Sequence, residues 1–564
     1  MKLQNQPQNS SRVFSIFSIA IFIFSYLFFF YRIHFGVDFF DESYYSALPL
    51  RLFLGQKLFV DELYLAQTFS ILTYPFFKLH WYLSHSLEGI IYFMRLINFC
   101  LYFGLAGIVF VLLKKEISKP IALIVAATLA LYFPGNMLTL SYNTLGTLFL
   151  TLSLFLIFSG AEKENRWALF LSGVMMALSS ISYITFLGVT ALLFAYLYLL
   201  HPSKKLALFF ALGVVSTFIY PLIFIAQHFT DFKASLAFGK EYLHNPPSLA
   251  QGIEVIHKFF PKAVLAILLI VTFLARTARK HSSTLYLFTL GSLPILSSVL
   301  CYFAFGGWNT YTFYLSFLAL LAYFEVKDNS LAQDLFKWIF VPSIGAGLIA
   351  ALTSASGFIN AQVGMVPASL VALIFLAQAL IKIKGKMTFP VLTSLSLPVV
   401  LALCYPLNIW NDSPFKDLTQ RIEAGPFRGI YTAPEKRSLA EGSYKLLKEE
   451  LNVKGPLLIY PSFAAGYLVS FVPPAKGVTW YQNSGRTNEI LADLYRKQMN
   501  PDARVVRMKL WYGTPTMKSY YSFDPHDPLT QLLETTHHPV KETEWFTVFS
   551  PNSTGIYGTA INAR

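Results

Sequence analysis

Charge is what this chain has least of. Asp, Glu, Lys and Arg make up 13% of its 564 residues, against 55% apolar, a balance that excludes an ordinary soluble globular domain. Cysteine is nearly absent. The three present, Cys100, Cys301 and Cys404, each lie in an apolar run, so neither a disulfide framework nor a thiolate metal cluster is expected. No convincing internal repeat is found. After residue 408 there is no Gly-rich phosphate-cradling loop, which argues against a nucleotide-binding unit there. A signal peptide is not expected either. The apolar segment 13–33 is too long for a signal-peptide core and no small-residue cleavage site follows it, so it reads as a retained first span.

What is present is a succession of apolar runs, spaced about 30 residues apart and mostly long enough to cross a bilayer core. The chain therefore reads as a polytopic α-helical membrane protein. Its formal charge of +14 comes mostly from short basic clusters between runs, the pattern of the positive-inside bias and not of a nucleic-acid binder. Lys2 and Arg12 place the N-terminus in the cytoplasm. The first spans are expected at 13–33, 89–113, 120–133 and 142–158, with a short pair inside 167–200 and a seventh ending near 228. A longer outer loop, 229–262, precedes spans eight and nine around the basic cluster 276–281. Spans 310–324, 338–352 and 365–381 follow, and a last one ends near 406. The connection 327–337, of mixed charge, is expected to form an interfacial helix. The count is about thirteen spans, with Lys or Arg in every inner loop, and its odd parity puts the remainder outside. From 408 onward charges, Gly and Pro rise and apolar runs shorten. A helix is expected at 434–451, strands at 456–460, 478–481, 503–508 and 544–549, and a helix at 486–499. Residues 1–407 thus read as a membrane domain and 408–564 as an extracytoplasmic α/β domain of about 150 residues.

The stretch 37–85, between the first two spans, carries two acidic pairs, Asp41–Glu42 and Asp61–Glu62, among Tyr, Phe and Leu. Carboxylates beside a bilayer are costly unless solvated, paired or put to use. Asp41 reads in two ways: as the cap of a short interfacial helix whose dipole Glu42 favours, or as a general base at the membrane lip. Asp61 and Glu62 read either as a second acidic set or as helix caps. Arg95 lies inside span two, where an unpaired guanidinium is costly. It is either a ligand for an anion or a structural partner of Asp61 or Asp38. Lys240, His244, His257, Lys258 and Lys262 form a second basic set in the loop after span seven, and Lys57 and Lys78 can snorkel to headgroups. Trp308 and Tyr311 are suited to stacking on a sugar or to anchoring in a membrane belt, and Asn360 lies in the small, polar turn 354–364. Arg486, Arg504 and Arg507 read as a solvated face or as contacts to an anionic glycan.

A first span, an acidic pair in a Tyr-rich helix, a second amphipathic helix and a multispan body together resemble the GT-C membrane glycosyltransferases. The likeness is nearest to the branch of lipid A aminoarabinose transferase and the relatives of protein O-mannosyltransferases, glycosyltransferase family 39-like. The residues that carry it are Asp41-Glu42-Ser43-Tyr44-Tyr45, Leu54-Gly55-Gln56-Lys57, Pro75, Arg95 and Ser141-Tyr142-Asn143-Thr144. The resemblance covers the first 160 residues or so by motif and the remainder only by topology. It implies a GT-C fold, with interfacial helices in the first outer loop (34–88), in a bacterial inner membrane. It also implies transfer of a hexose or pentose, with inversion, from a polyprenyl-phosphate donor to a lipid, glycan or protein hydroxyl, by a monomer.

In that reading Asp41 is the base, with Glu42 beside it, and Arg95, Lys240, His257 and Lys258 hold the leaving phosphate. Tyr44, Tyr45, Asn143, Trp308, Tyr311 and Asn360 contact sugar or acceptor. Many relatives carry an acid where this chain has Asn143, so a divalent metal, held by Asp41 and Glu42 if present, is left open. A transporter or flippase for a lipid-linked glycan, or a polymerase, is the alternative. A transporter calls for charged groups at mid-membrane and repeats, and the acids here gather at one face instead.

Overall fold

A computed structural model describes residues 8–132, 137–242, 295–296, 299, 311–354, 360–384, 396–404 and 409–552, the last with short interruptions at 410, 452–454, 462, 480–484, 499–502, 512–518 and 521–525. Expected spans eight and nine, the basic cluster between them, His244, His257, Lys258, Lys262, Trp308 and Cys301 lie outside the described residues. The chain divides into two compact units: residues 1–34, 95–224 and 245–410 form one, and residues 35–94, 225–244 and 411–564 the other.

The first unit is helical. Its helices are α1 (Gln8–Arg32), α4 (Ile90–Leu113, which begins in the other unit), α5 (Lys119–Ala130), α6 (Tyr142–Ala161), α7 (Arg166–Ser182), α8 (Phe186–Leu200) and α9 (Lys204–Gln227). They continue with α11 (Tyr311–Val326), α12 (Ser330–Leu352), α13 (Ala361–Lys384) and α14 (Leu397–Cys404). Six of the described helices are long and apolar enough to cross a membrane, so this is a multi-pass membrane protein. Others expected to span fall short. The 12 residues of α5 rise only about 18 Å against a core of about 30 Å. A count of thirteen is therefore not reproduced among the described residues. The expected interfacial helix at 327–337 and span 338–352 are one continuous helix, α12, carried through a π-turn at Phe336–Phe340.

Faces follow from composition. Apolar on all sides, α13 has 94% of its candidate span buried, in contact with α5, α6, α11 and α12, as expected for a helix without a polar stripe. By contrast α9 is only 11% buried, and its Leu208, Leu212, Val215, Ile219 and Ile223 are exposed, the arrangement of a lipid-facing helix. In α1, Ser18 and Ser25 are buried and return their hydroxyls to the Phe14 and Ile21 carbonyls, so neither leaves an unsatisfied polar group among apolar neighbours.

Where α7 crosses α9, a Cβ on Gly173 would lie 2.0 Å from the Phe210 carbonyl oxygen, and one on Gly213 2.1 Å from that of Phe170. Backbone meets backbone there, the small-residue packing of membrane helices. Gly213→Val is expected to force the pair apart and to cost about 1–3 kcal/mol, read as a lower melting temperature of the purified protein in nanodiscs. An unchanged melt would reject this crossing.

The second unit contains α2 (Asp41–Phe53), α3 (Ser70–Ser84) and α10 (Phe229–Tyr242), together with the C-terminal α/β region. That region holds β1 (Gln420–Arg421), β2 (Tyr431–Thr432), α15 (Pro434–Tyr444), β3 (Leu457–Tyr460), α16 (Ala465–Ser470), α17 (Gly485–Gln498) and β4 (Arg504–Met508). After it come β5 (Leu510–Trp511), β6 (Ser519–Tyr520), α18 (Pro528–Thr536), β7 (His537–Glu542) and β8 (Phe546–Pro551). One sheet has the order β3-β4-β8-β7, with β3 and β4 parallel and the other pairs antiparallel. All four residues of β3 are buried, as an unbroken apolar strand covered on both faces should be. The edge strand β7 carries Pro539 and Lys541, which discourage pairing with another chain.

Two expectations are corrected. Val478 and Thr479 are not in a strand, and the rest of the expected strand, 480–481, lies outside the described residues; the neighbouring backbone pairs with the acidic loop, Leu63 N donating to the Gly477 carbonyl at 2.8 Å and Gly477 N to that of Asp61 at 3.0 Å. The start of the expected loop 229–262 is α10, whose Phe238 packs with Leu63, Val478, Leu491 and Tyr495.

Candidate active site

The acidic loop starts from a helix end. The first residue of α2 is Asp41, and the preceding Phe40 makes no side-chain cap. Capping falls to Asp38, whose Oδ1 accepts from Phe40 N at 2.9 Å and whose Oδ2 accepts from Glu42 N at 3.1 Å. This corrects the reading of Asp41 as the cap. An acid three residues ahead satisfies the amides of Phe40 and Glu42, which otherwise lack an intrahelical acceptor.

Asp41 is half-buried, whereas Asp38 and Glu42 are buried. Burial pushes the Asp38 carboxyl up from its ordinary range. Hydrogen bonds from Phe40, Asn411 and Glu42 and the nearby Lys436 charge oppose that push. Successive residues on a helix point about 100° apart, and Glu42 is buried where Asp41 is half-buried. Among the described residues no three His, Cys, Asp or Glu side chains gather in a way that could hold a metal ion.

The second acidic pair has a structural setting. Glu62 is buried and accepts from Arg51 Nη1 at 3.2 Å, Thr479 N at 2.8 Å, Thr479 Oγ1 at 2.6 Å and Tyr64 N at 3.0 Å. Burial raises its carboxyl, and Arg51 and Thr479 draw it back. The Asp61 Oδ2 accepts from Lys57 N at 2.7 Å, and its carbonyl accepts from Arg51. Tyr44 and Tyr45 are buried, ring against ring with Tyr64 and Phe69 respectively, so they brace α2 from within the loop.

In the first unit, Arg95 is buried and donates to the Ile33 carbonyl at 2.9 Å, just past the end of α1, where a helix leaves acceptors unpaired. The start of α6 is held by a capping box between Ser141 and Thr144. Its Asn143 is 7% exposed, with an Oδ1 that has no hydrogen-bond partner among the described residues. Thr147, one turn on, donates to the Val363 carbonyl at 2.9 Å, which brings together the beginnings of α6 and α13. Tyr183 meets Tyr142 in a tilted ring contact, centroids 5.7 Å apart, and hydrogen-bonds Asn360 and Ser354, so Asn143 and Asn360 belong to one end of this unit. Lys240 lies in α10 and Tyr311 opens α11, and of their side chains nothing is described.

Sequence reading missed Arg51, Asn411, Asp412, Lys436 and Thr479 as supports of the acidic loop. Only Asp38 had a local signal, an acid just ahead of a helix start.

No family model matches the sequence, and no curated protein matches it. Among solved structures, the chain is similar to the archaeal oligosaccharyltransferase AglB from Archaeoglobus fulgidus in complex with an inhibitory peptide and a dolichol-phosphate. The identity is 12%, over 87% of this chain and 69% of that one, with a TM-score of 0.46. It is also similar to the Archaeoglobus fulgidus oligosaccharyltransferase in the apo form, at 11% identity, the same coverage and a TM-score of 0.46. A third similar structure is that enzyme tethered to an acceptor peptide containing the NVT sequon, at 10% identity, the same coverage and a TM-score of 0.47. A superposition of that quality defines neither a shared activity nor a shared substrate.

Proposed function

We propose that this protein is a membrane glycosyltransferase of the GT-C type, transferring a sugar from a polyprenyl-phosphate donor to an acceptor hydroxyl with inversion. The observation that carries the reading is Asp41. It opens a helix at whose start Asp38 accepts from the amides of Phe40 and Glu42, and it is half-buried while Glu42 is buried. The N-terminal end of α2 favours negative charge there, as a base that must be ionised requires. Asp41 takes the acceptor's proton, the acceptor oxygen attacks the anomeric carbon opposite the phosphate, and the carbon–oxygen bond to phosphate breaks with its electron pair leaving on polyprenyl phosphate. A phosphate leaving group needs neutralising more than protonating. Arg95, Lys240, His257 and Lys258 are the cations proposed for this. Asn143, Asn360, Trp308 and Tyr311 are proposed to line the sugar or acceptor. The catalysis is placed at the outer leaflet of the cell membrane, with residues 1–407 as the membrane domain and 408–564 outside.

The test uses purified protein in nanodiscs with a panel of polyprenyl-phospho-hexoses and polyprenyl-phospho-pentoses, radiolabelled in the sugar, and membrane extract as acceptor. Release of polyprenyl phosphate coupled to label in a new product is the expected result. Absence of both for every donor would overturn the reading.

A further inference from the structure

The backbone that leads into Asp41 is held by residues about 400 positions later. Gly36 N donates to the Tyr431 carbonyl at 2.8 Å, and Ala465 N donates to the Phe39 carbonyl at 3.4 Å. Val37 N donates to Asp412 Oδ2 at 2.6 Å, and Lys436 Nζ to the Val37 carbonyl at 3.4 Å. Asn411 Nδ2 donates to Asp38 Oδ1 at 3.1 Å, from a residue with φ of +52° that Asn tolerates better than most. Asp412 in turn accepts from Thr432 Oγ1 at 2.7 Å and from Ser413 N at 2.7 Å, and pairs with Lys436 Nζ at 3.7 Å. Both partners of that pair are 2% exposed or less at the side chain. A buried pair of this kind is poor evidence of stability, since an apolar pair of the same volume often does as well. Its distinctive product is geometry: one carboxylate and one ammonium hold both polar groups of Val37, one turn before the acid.

We infer that Asp412 and Lys436 are positioning residues, which set the register and direction of residues 36–42 and so the place of the Asp41 carboxylate. This inference rests on the reading of Asp41 as the base and deepens it: the segment after residue 411 is a working part of the catalytic loop. It requires that loosening the pair disturb turnover more than donor binding, because a displacement of about 1 Å in a reacting group costs about a hundredfold in rate.

The experiment compares full-length wild type, Lys436→Met, Thr432→Val and Thr432→Ser in nanodiscs. Lys509→Met, which breaks the exposed pair with Glu542, serves as control. Deuterium exchange over peptides spanning residues 36–45 reports the positioning without any substrate. Turnover of a radiolabelled polyprenyl-phospho-hexose reports its consequence.

In Lys436→Met, exchange of these amides is expected about tenfold faster, with kcat lowered about a hundredfold and KM within about twofold. Thr432→Val, which removes one donor from Asp412 while keeping its volume, is expected to move both readouts about threefold in the same direction. Thr432→Ser restores them, and Lys509→Met changes neither. If Lys436→Met does not fold, the Thr432 pair decides. Wild-type exchange and wild-type kcat in folded Lys436→Met or Thr432→Val would overturn the positioning role. A wild-type protein that turns over no donor removes the enzyme reading alone, since the exchange arm still reports whether the pair holds the loop.

Discussion

Asp41→Asn is expected to lower sugar transfer by about a hundredfold to ten thousandfold, the range for loss of a general base, while the melting temperature of the protein stays at the wild-type value. The substitution keeps the shape of the side chain and removes its capacity to take a proton. It leaves the helix start intact, because the amides of Phe40 and Glu42 are capped by Asp38 and not by Asp41. That separation makes the experiment clean: a capping residue would lose about 1 kcal/mol of stability on substitution, and a base loses rate. Polyprenyl phosphate released per minute and a thermal melt on the same sample distinguish them. Transfer above about a tenth of wild type in a folded Asp41→Asn protein would remove Asp41 from the chemistry.

Arg51→Met is expected to produce the largest loss of stability. The guanidinium lies in the last turn of α2 and donates to Glu62, to Thr479 Oγ1 at 2.8 Å and to the carbonyls of Asp61 and Ala475. Both charged side chains are 3% exposed. Removing the cation alone strands a buried carboxylate and is expected to cost about 3–5 kcal/mol, seen as a fall in melting temperature on the order of 10 °C. The double substitution Arg51→Met with Glu62→Met is expected to recover most of that loss, because neither charge is then left buried without its partner. A single variant that melts with wild type, or a double variant worse than the single, would show that the tie is not what holds the loop to the segment around Thr479.

How legible these features were depended on range. Strands β3, β4 and β8 and helix α15 stand close to where apolar runs and turn residues put them, since burial on both faces writes itself into consecutive residues. The start of α6 was likewise legible at Ser141. Helix α18 was missed although it carries a local signal, Asp527 capping Thr530 N at 2.8 Å with Pro528 next in line. The strand expected from Val478 failed for a different reason at its described residues, Val478 and Thr479. Its residues have strand-like character, but the Thr479 amide donates to Glu62, a partner no local pattern could name.

The sequence by itself determined that this is a multi-pass helical membrane protein with a C-terminal α/β region and an acidic pair just beyond its first span. Those properties are set by hydropathy and spacing within a few turns of chain. Only the tertiary structure decided which acid caps, which is buried and which stands half-exposed at a helix start. It also placed the loop of Asp41 in one compact unit with the chain after Asn411. The reason is physical: a buried polar group is satisfied by whatever partner folding brings within about 4 Å, and for the Val37 amide and the Glu62 carboxylate those partners are Asp412 and Thr479, far away along the chain.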